Sequence, residues 1–133
     1  MNFTCITLDL DGTLLNANGE ISKQNLEALT EAARCGCTIV LASGRSIRDI
    51  RPIARQLPFR TCIVANNGSQ TWLDPDTLWS EHRLDSVWVA RMRELAERCG
   101  VKYWGHGKEG SFYSHPSPSF PKAVHAVHWF QFA

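Results

Sequence analysis

Apolar and polar positions along the first seventy residues alternate between two rhythms. Residues 3–9 (FTCITLD), 37–43 (CTIVLAS) and 61–67 (TCIVANN) are near-continuous apolar runs. Runs of that length and kind suit strands of a parallel sheet covered on both faces. Between the first two, Ser22 is placed to cap a helix, with Ile21 and Leu26 positioned as a hydrophobic staple. Leu26, Leu29 and Ala33 then recur at helical spacing, and Gly36 ends the segment. Between the second and third runs, Ser46 with Asp49 three residues on predicts a capping box. The helix it opens extends to about Gln56, and Pro52 is expected to kink or restart it.

After Asn67 the pattern changes. SQTWLDPDTLWSEH, residues 69–82, predicts two short strands around an Asp-Pro-Asp turn. Asp85 is placed to cap a helix over residues 86–99, closed by Gly100. VKYWGH (101–106) and SFYSH (111–115) predict a further strand pair around GKEG. From His115 the chain is broken by prolines and then aromatic, with a short helix at 122–129 the one element expected there.

The order β-α-β-α-β implies a parallel sheet with right-handed crossovers. All three strands then point the same way, and their carboxyl ends carry Asp9, Ser43 and Asn67. That edge is where open α/β sheets bind ligands.

Composition narrows the function classes. A net charge of +1 gives no electrostatic footprint for nucleic acid or an anionic membrane. No apolar run is long enough to span a bilayer, and the first residues have no signal-peptide pattern. Five cysteines without a C-x-x-C pair are expected to be small buried thiols in a reducing cytoplasm. The four later histidines, His106, His115, His125 and His128, match no metal spacing and are expected to be structural or surface groups. The five tryptophans are expected to pack the hairpin and the 86–99 helix.

The chemistry lies in ITLDLDGTLLN, residues 6–16, where an apolar strand ends in Asp9 and Asp11. Residues i and i+2 of an extended strand share a face, so both carboxylates can address one ligand if that geometry persists past the strand end. Two carboxylates so close repel, and a divalent cation relieves the repulsion. Mg²⁺ takes oxygen ligands, with one or two carboxylates and a substrate phosphate among them. One carboxylate can attack phosphorus and form an aspartyl-phosphate, and its neighbour can protonate the leaving oxygen and then activate water. Gly12 allows a tight turn whose N–H groups can hold phosphate oxygens.

These residues resemble a known family. DLDGTLLN resembles the first motif of the haloacid dehalogenase-like (HAD) superfamily, and LASGR, 41–45, resembles its second. NNGS, 66–69, followed by a hairpin, resembles the Asn-Gly element of the Cof-like branch, which carries a C2-type α/β cap inserted after the third strand. The resemblance covers residues 3 to about 100. It implies a Rossmann-like α/β fold with three core strands present, a hairpin and the start of the inserted cap. The corresponding division is 1–81 for the N-terminal part of the core and 82–133 for a partial cap and an irregular tail. It also implies Asp9 as nucleophile and Mg²⁺ ligand, and Asp11 as general acid/base with its main-chain carbonyl on the metal. Gly12 and Thr13 shape the loop, Ser43 hydrogen-bonds the transferring phosphoryl with Gly44 beside it, and Asn67 and Gly68 line the cleft. Arg45 either contacts phosphate or pairs with an acid. Ser43 as a turn or capping serine and Asn67 as a turn asparagine remain the alternatives.

The family's third-motif lysine and fourth-motif Gly-Asp have no clear counterpart. No aspartate follows Asp85, and of the three lysines after the predicted hairpin, Lys102, Lys108 and Lys122, only Lys122 opens a helix-like string. Two readings therefore stand. One is a Mg²⁺-dependent phosphomonoester hydrolase of small phosphorylated metabolites, impaired in this short chain, with a phosphomutase as a sister activity. The other is a non-catalytic HAD-like fragment with weak Mg²⁺ or phosphate binding. A phosphorylated receiver domain also uses paired acids, but there the nucleophile does not end the first strand. Without the family's later strands, CITLDL is expected to be an open sheet edge through which two copies can associate.

Overall fold

The computed structural model describes residues 3–107 and 110–114. Strand β1 spans Cys5–Asp9, helix α1 Lys23–Arg34, β2 Thr38–Ala42, helix α2 Ile47–Ala54 and β3 Thr61–Ala65. A hairpin of β4 (Gln70–Asp74) and β5 (Thr77–Glu81) follows. Helix α3 is Ser86–Arg98, and β6 (Trp104–Gly107) pairs with β7 (Gly110–Tyr113). The chain divides into two compact units, one ending at His82 and the other starting at Arg83. The helix expected at 122–129 lies outside the described residues.

The first unit holds one sheet in the order β1-β2-β3-β4-β5. The first three strands are parallel and the hairpin continues the sheet antiparallel from β3. The sheet grows in one direction through two crossovers, and right-handed crossovers in one direction put both helices on the same face. The core reflects this. Ile39, Leu41, Ile63 and Ala65 have no exposed surface, and Ile39 and Leu41 lie in register with Ile6 and Leu8 of β1. Ile47, Ile50 and Ile53 of α2 and Leu29 of α1 complete this core. Each fully buried Ile or Leu contributes about 1.5–3 kcal/mol. The alternate residues Thr7, Val40, Cys62 and Val64 face the other way, and none is buried.

Two expectations are corrected here. The apolar runs are not covered on both faces within this unit, and no residue of β1 is buried. Nor are the cysteines buried: all five are free, three exposed and two half-buried.

The helix ends follow the sequence in part. Ser22 Oγ accepts from the Asn25 N–H at 3.1 Å, and Gly36 takes a φ of 88° beyond α1. Ser46 precedes α2, but no capping box forms: its hydroxyl donates to Asp49 Oδ2 at 2.6 Å instead of accepting a backbone N–H. The short aspartate captures the hydroxyl. Helix α2 runs through Pro52 without restarting and ends at Ala54.

The hairpin turn is an Asx-turn. Asp74 Oδ1 accepts from the N–H groups of Asp76 and Thr77, both at 2.9 Å. These bonds, the Asp76 N–H foremost and Arg60 further down, hold the Asp74 carboxyl below its usual range. Arg51 Nε donates to the Pro75 carbonyl at 2.7 Å, and Arg55 meets Asp76 at 2.8 Å, so α2 fastens the turn.

In the second unit, Asp85 Oδ1 accepts from the Val87 N–H at 2.8 Å and Gly100, at φ 63°, ends α3. The Ser114 N–H donates to the Tyr103 carbonyl at 3.0 Å, closing the β6–β7 pair at its base. No helix among the described residues is long and apolar enough to cross a membrane.

Candidate active site

Three strand ends meet at the carboxyl edge of the sheet. Asp9 closes β1 opposite Ala42 of β2, so Ser43 follows directly on the residue beside Asp9. The ladder stops there. Leu10 points inward, as Ile6 and Leu8 do, and is fully buried, with Asp9 and Asp11 exposed on either side of it. Gly12 takes a φ of 76°, and the chain folds back. The Leu14 N–H donates to the Asp9 carbonyl at 3.2 Å and the Leu15 N–H to that of Leu10 at 2.9 Å. Leu14 and Leu15 are buried in turn. In DLDGTLL the leucines anchor the loop in the core while Asp9, Asp11, Gly12 and Thr13 stay at the surface.

The loop after β2 is tied to the loop after β3. The Ser43 N–H donates to the Val64 carbonyl at 2.9 Å, the Asn66 N–H to that of Arg45 at 2.9 Å and the Asn67 N–H to that of Ser43 at 3.3 Å. The Ser43 hydroxyl oxygen accepts from the Arg45 N–H at 3.2 Å. That is the turn-serine arrangement, and it leaves the hydroxyl proton for a further acceptor. Gly44 stands against the Asn67 side-chain amide.

The third strand is shorter than its apolar run. It ends at Ala65, and residues 66–68 form a 3-10 turn. Asn66 and Asn67 both take left-handed φ values, 52° and 54°. Asparagine tolerates that region better than most residues, but two in succession are uncommon. Asn66 was not among the expected site residues. It is buried, and its amide donates to Gln70 Oε1 at 3.0 Å, while Gln70 donates to Glu81 Oε1 at 2.7 Å. The doubled asparagine before Gly68 is the sequence signal for this turn.

Arg45 reaches across to β1. Its Nε donates to Asp11 Oδ2 at 2.9 Å and its Nη2 to Asp11 Oδ1 at 2.6 Å. Of the two partners left open for Arg45 by the sequence, the acid is the one seen. The structure thus brings Asp9, Asp11, Ser43, Gly44, Arg45 and Asn67 to one edge. Among the described residues no group of three or more acids, histidines and cysteines gathers as a metal cluster.

A family model described as haloacid dehalogenase-like hydrolase matches residues 6–131. The chain belongs to that family. It is 30% identical over 99 residues to 5-amino-6-(5-phospho-D-ribitylamino)uracil phosphatase YcsE of Bacillus subtilis, covering 74% of this chain and 40% of that one. It is 33% identical to the pyridoxal phosphate phosphatase YbhA of Escherichia coli, covering 88% of this chain and 43% of the other. A solved phosphatase of the same superfamily from Bacteroides thetaiotaomicron superposes with a TM-score of 0.75 at 26% identity, over 87% of this chain and 43% of that one. The chain therefore spans about two-fifths of the length of these relatives.

Proposed function

We propose that the protein is a Mg²⁺-dependent phosphomonoester hydrolase and that this chain supplies its nucleophile. The carrying observation is the placement of exposed Asp9 at the end of β1, one register position from Ser43 at the end of β2. A carboxylate there can form an Oδ–P bond as the ester P–O bond breaks. Asp11 gives the leaving oxygen its proton and then takes one from water, which attacks phosphorus and frees Asp9. Gly12 and Ser43 donate to the phosphoryl oxygens, Gly44 lies beside them packed against the Asn67 side chain, and Asn67 lines the approach.

Asp9 and Asp11 fit Mg²⁺ by donor chemistry. Asp9 is an exposed hard oxygen donor, and the Asp11 carboxylate, engaged by Arg45, leaves its main-chain carbonyl as the group to offer. When bound, the ion supplies charge compensation for the transferring phosphoryl. YcsE and YbhA are phosphatases of small phosphorylated molecules, which supports a substrate of that size. Five free thiols are in keeping with a reducing cytoplasm. β1, at the sheet edge, is where a second copy would pair.

A second reading, phosphate and weak Mg²⁺ binding without turnover, is favoured by one observation: both carboxylate oxygens of Asp11 already accept from Arg45. Hydrolysis of p-nitrophenyl phosphate separates the two. Mg²⁺-dependent release of nitrophenol, slow and lost in Asp9→Asn, supports the hydrolase. Phosphate-induced shifts of the Gly12 and Ser43 amides without any release support the binding protein.

A further inference from the structure

The guanidinium of Arg45 holds both oxygens of Asp11, and its own backbone is held from both sides. The Asn66 N–H donates to its carbonyl at 2.9 Å and its N–H donates to Ser43 Oγ at 3.2 Å. Arg45 is therefore placed by the turn that ends β3, through the loop that follows β2, onto the acid that follows β1. The left-handed pair Asn66–Asn67 stiffens this arrangement, because Asn67 Oδ1 fills the space over Gly44.

We propose that Arg45 is a positioning residue for Asp11 and not a phosphate anchor. This rests on the acid/base role given to Asp11 above. A bidentate guanidinium–carboxylate pair fixes the orientation of the carboxylate as well as its distance. Asp11 directly precedes Gly12, which turns the chain at a φ of 76°, and no atom lies within 4 Å of where a β-carbon on that glycine would stand. Backbone bonds alone leave the Asp11 side chain free to rotate, and the fork of Arg45 removes that freedom. Two of the donors that would grip a phosphate, Nε and Nη2, are already committed. A phosphate that took this same fork would have to break both bonds and leave Asp11 unoriented at the step that needs it. The pair also sets the two acids apart: Asp11 has a cationic partner, and Asp9 ends its strand exposed.

The test is the Nε–Hε resonance of Arg45 in the nitrogen–proton NMR spectrum, assigned by its loss in Arg45→Lys. The pairing predicts slowed exchange of this proton with water. Because both side chains are partly exposed, the expected slowing is roughly threefold. In Asp11→Asn the resonance should return to the position and exchange rate of an exposed arginine. Inorganic phosphate, added until the Gly12 or Ser43 amides respond, should leave the wild-type resonance in place. A wild-type resonance already at the exposed-arginine position and indifferent to Asp11→Asn would overturn the proposal. So would a phosphate titration that moves it together with the amides, which makes Arg45 a phosphate ligand. If the amides ignore phosphate while the resonance still depends on Asp11, the positioning pair stands and the phosphatase function falls.

Discussion

The side-chain oxygen of Asn67 stands 2.7 Å from where a β-carbon on Gly44 would lie, closer than real β-carbons come to a neighbouring atom. The two residues belong to different strand ends, and their contact closes the gap between the second and third loops of the site. Gly44→Ala should therefore destabilise the fold by about 1 kcal/mol, at the low end for overpacking because a short side chain has to yield. Asn67→Gly removes the obstruction and suits the left-handed φ of 54° at that position. The double variant should recover most of the loss, a non-additivity that urea denaturation of the four proteins measures directly.

Gly12 makes a different prediction. A β-carbon there meets no atom within 4 Å, but the φ of 76° lies in the left-handed region. Gly12→Ala should cost about 1–2 kcal/mol through backbone strain alone. Gly12→Asn should cost less, since asparagine visits this region more readily. Equal losses for the two in thermal unfolding would show that strain is not the cause.

The one-sided core of the first unit is tested by neighbours in sequence. Ile63 is fully buried and Cys62, next to it on the opposite face, is half-buried. Ile63→Ala should cost about 2–5 kcal/mol. Cys62→Ala should stay within about 1 kcal/mol. Urea midpoints that rank them the other way would mean the sheet presents its other face to the core.

Asp74 links the hairpin turn to pH. Its carboxyl titrates below the ordinary 3.8 because the Asp76 N–H, then Thr77 and Arg60, favour the charged form. A carboxyl depressed in the folded state contributes stability that is present above its unfolded value and is lost as pH falls through its folded value. Wild-type protein should therefore lose stability on acidification from neutral to about pH 3 in part through this group. Asp74→Asn should start less stable at neutral pH and lose less on the way down. Chemical denaturation at the two pH values checks the crossing trend.

Much of this was legible in the chain. The three apolar runs, their order and the turn signals at Ser22, Gly36, Asp85 and Gly100 are local features, and local chemistry decides them. DLDGTLLN announces its place because a strand, two acids and a turn glycine occur together. Other features depend on partners distant in sequence. CITLD by itself does not tell that β1 is the outermost strand of the described sheet; that expectation comes from the family's strand order, and β1 does lie at the edge. In TCIVANN the doubled asparagine signals a turn, but not that Asn66 and Asn67 leave the strand after Ala65 to meet Arg45 and Ser43 twenty-odd residues earlier. The same holds for Arg45: its pairing with Asp11 depends on where three loops converge. Ser46 failed as a capping box for a smaller reason, the reach of an aspartate to the hydroxyl itself.

The central claim is that Asp9 is the nucleophile. It is tested most directly by incubating the protein with acetyl phosphate and Mg²⁺, quenching in acid and mapping the peptides by mass spectrometry. The structure predicts one phosphoryl group on the peptide carrying Asp9, absent from Asp9→Asn and retained in Asp49→Asn. A phosphoryl group found elsewhere, or an unmodified Asp9 peptide under these conditions, would contradict it.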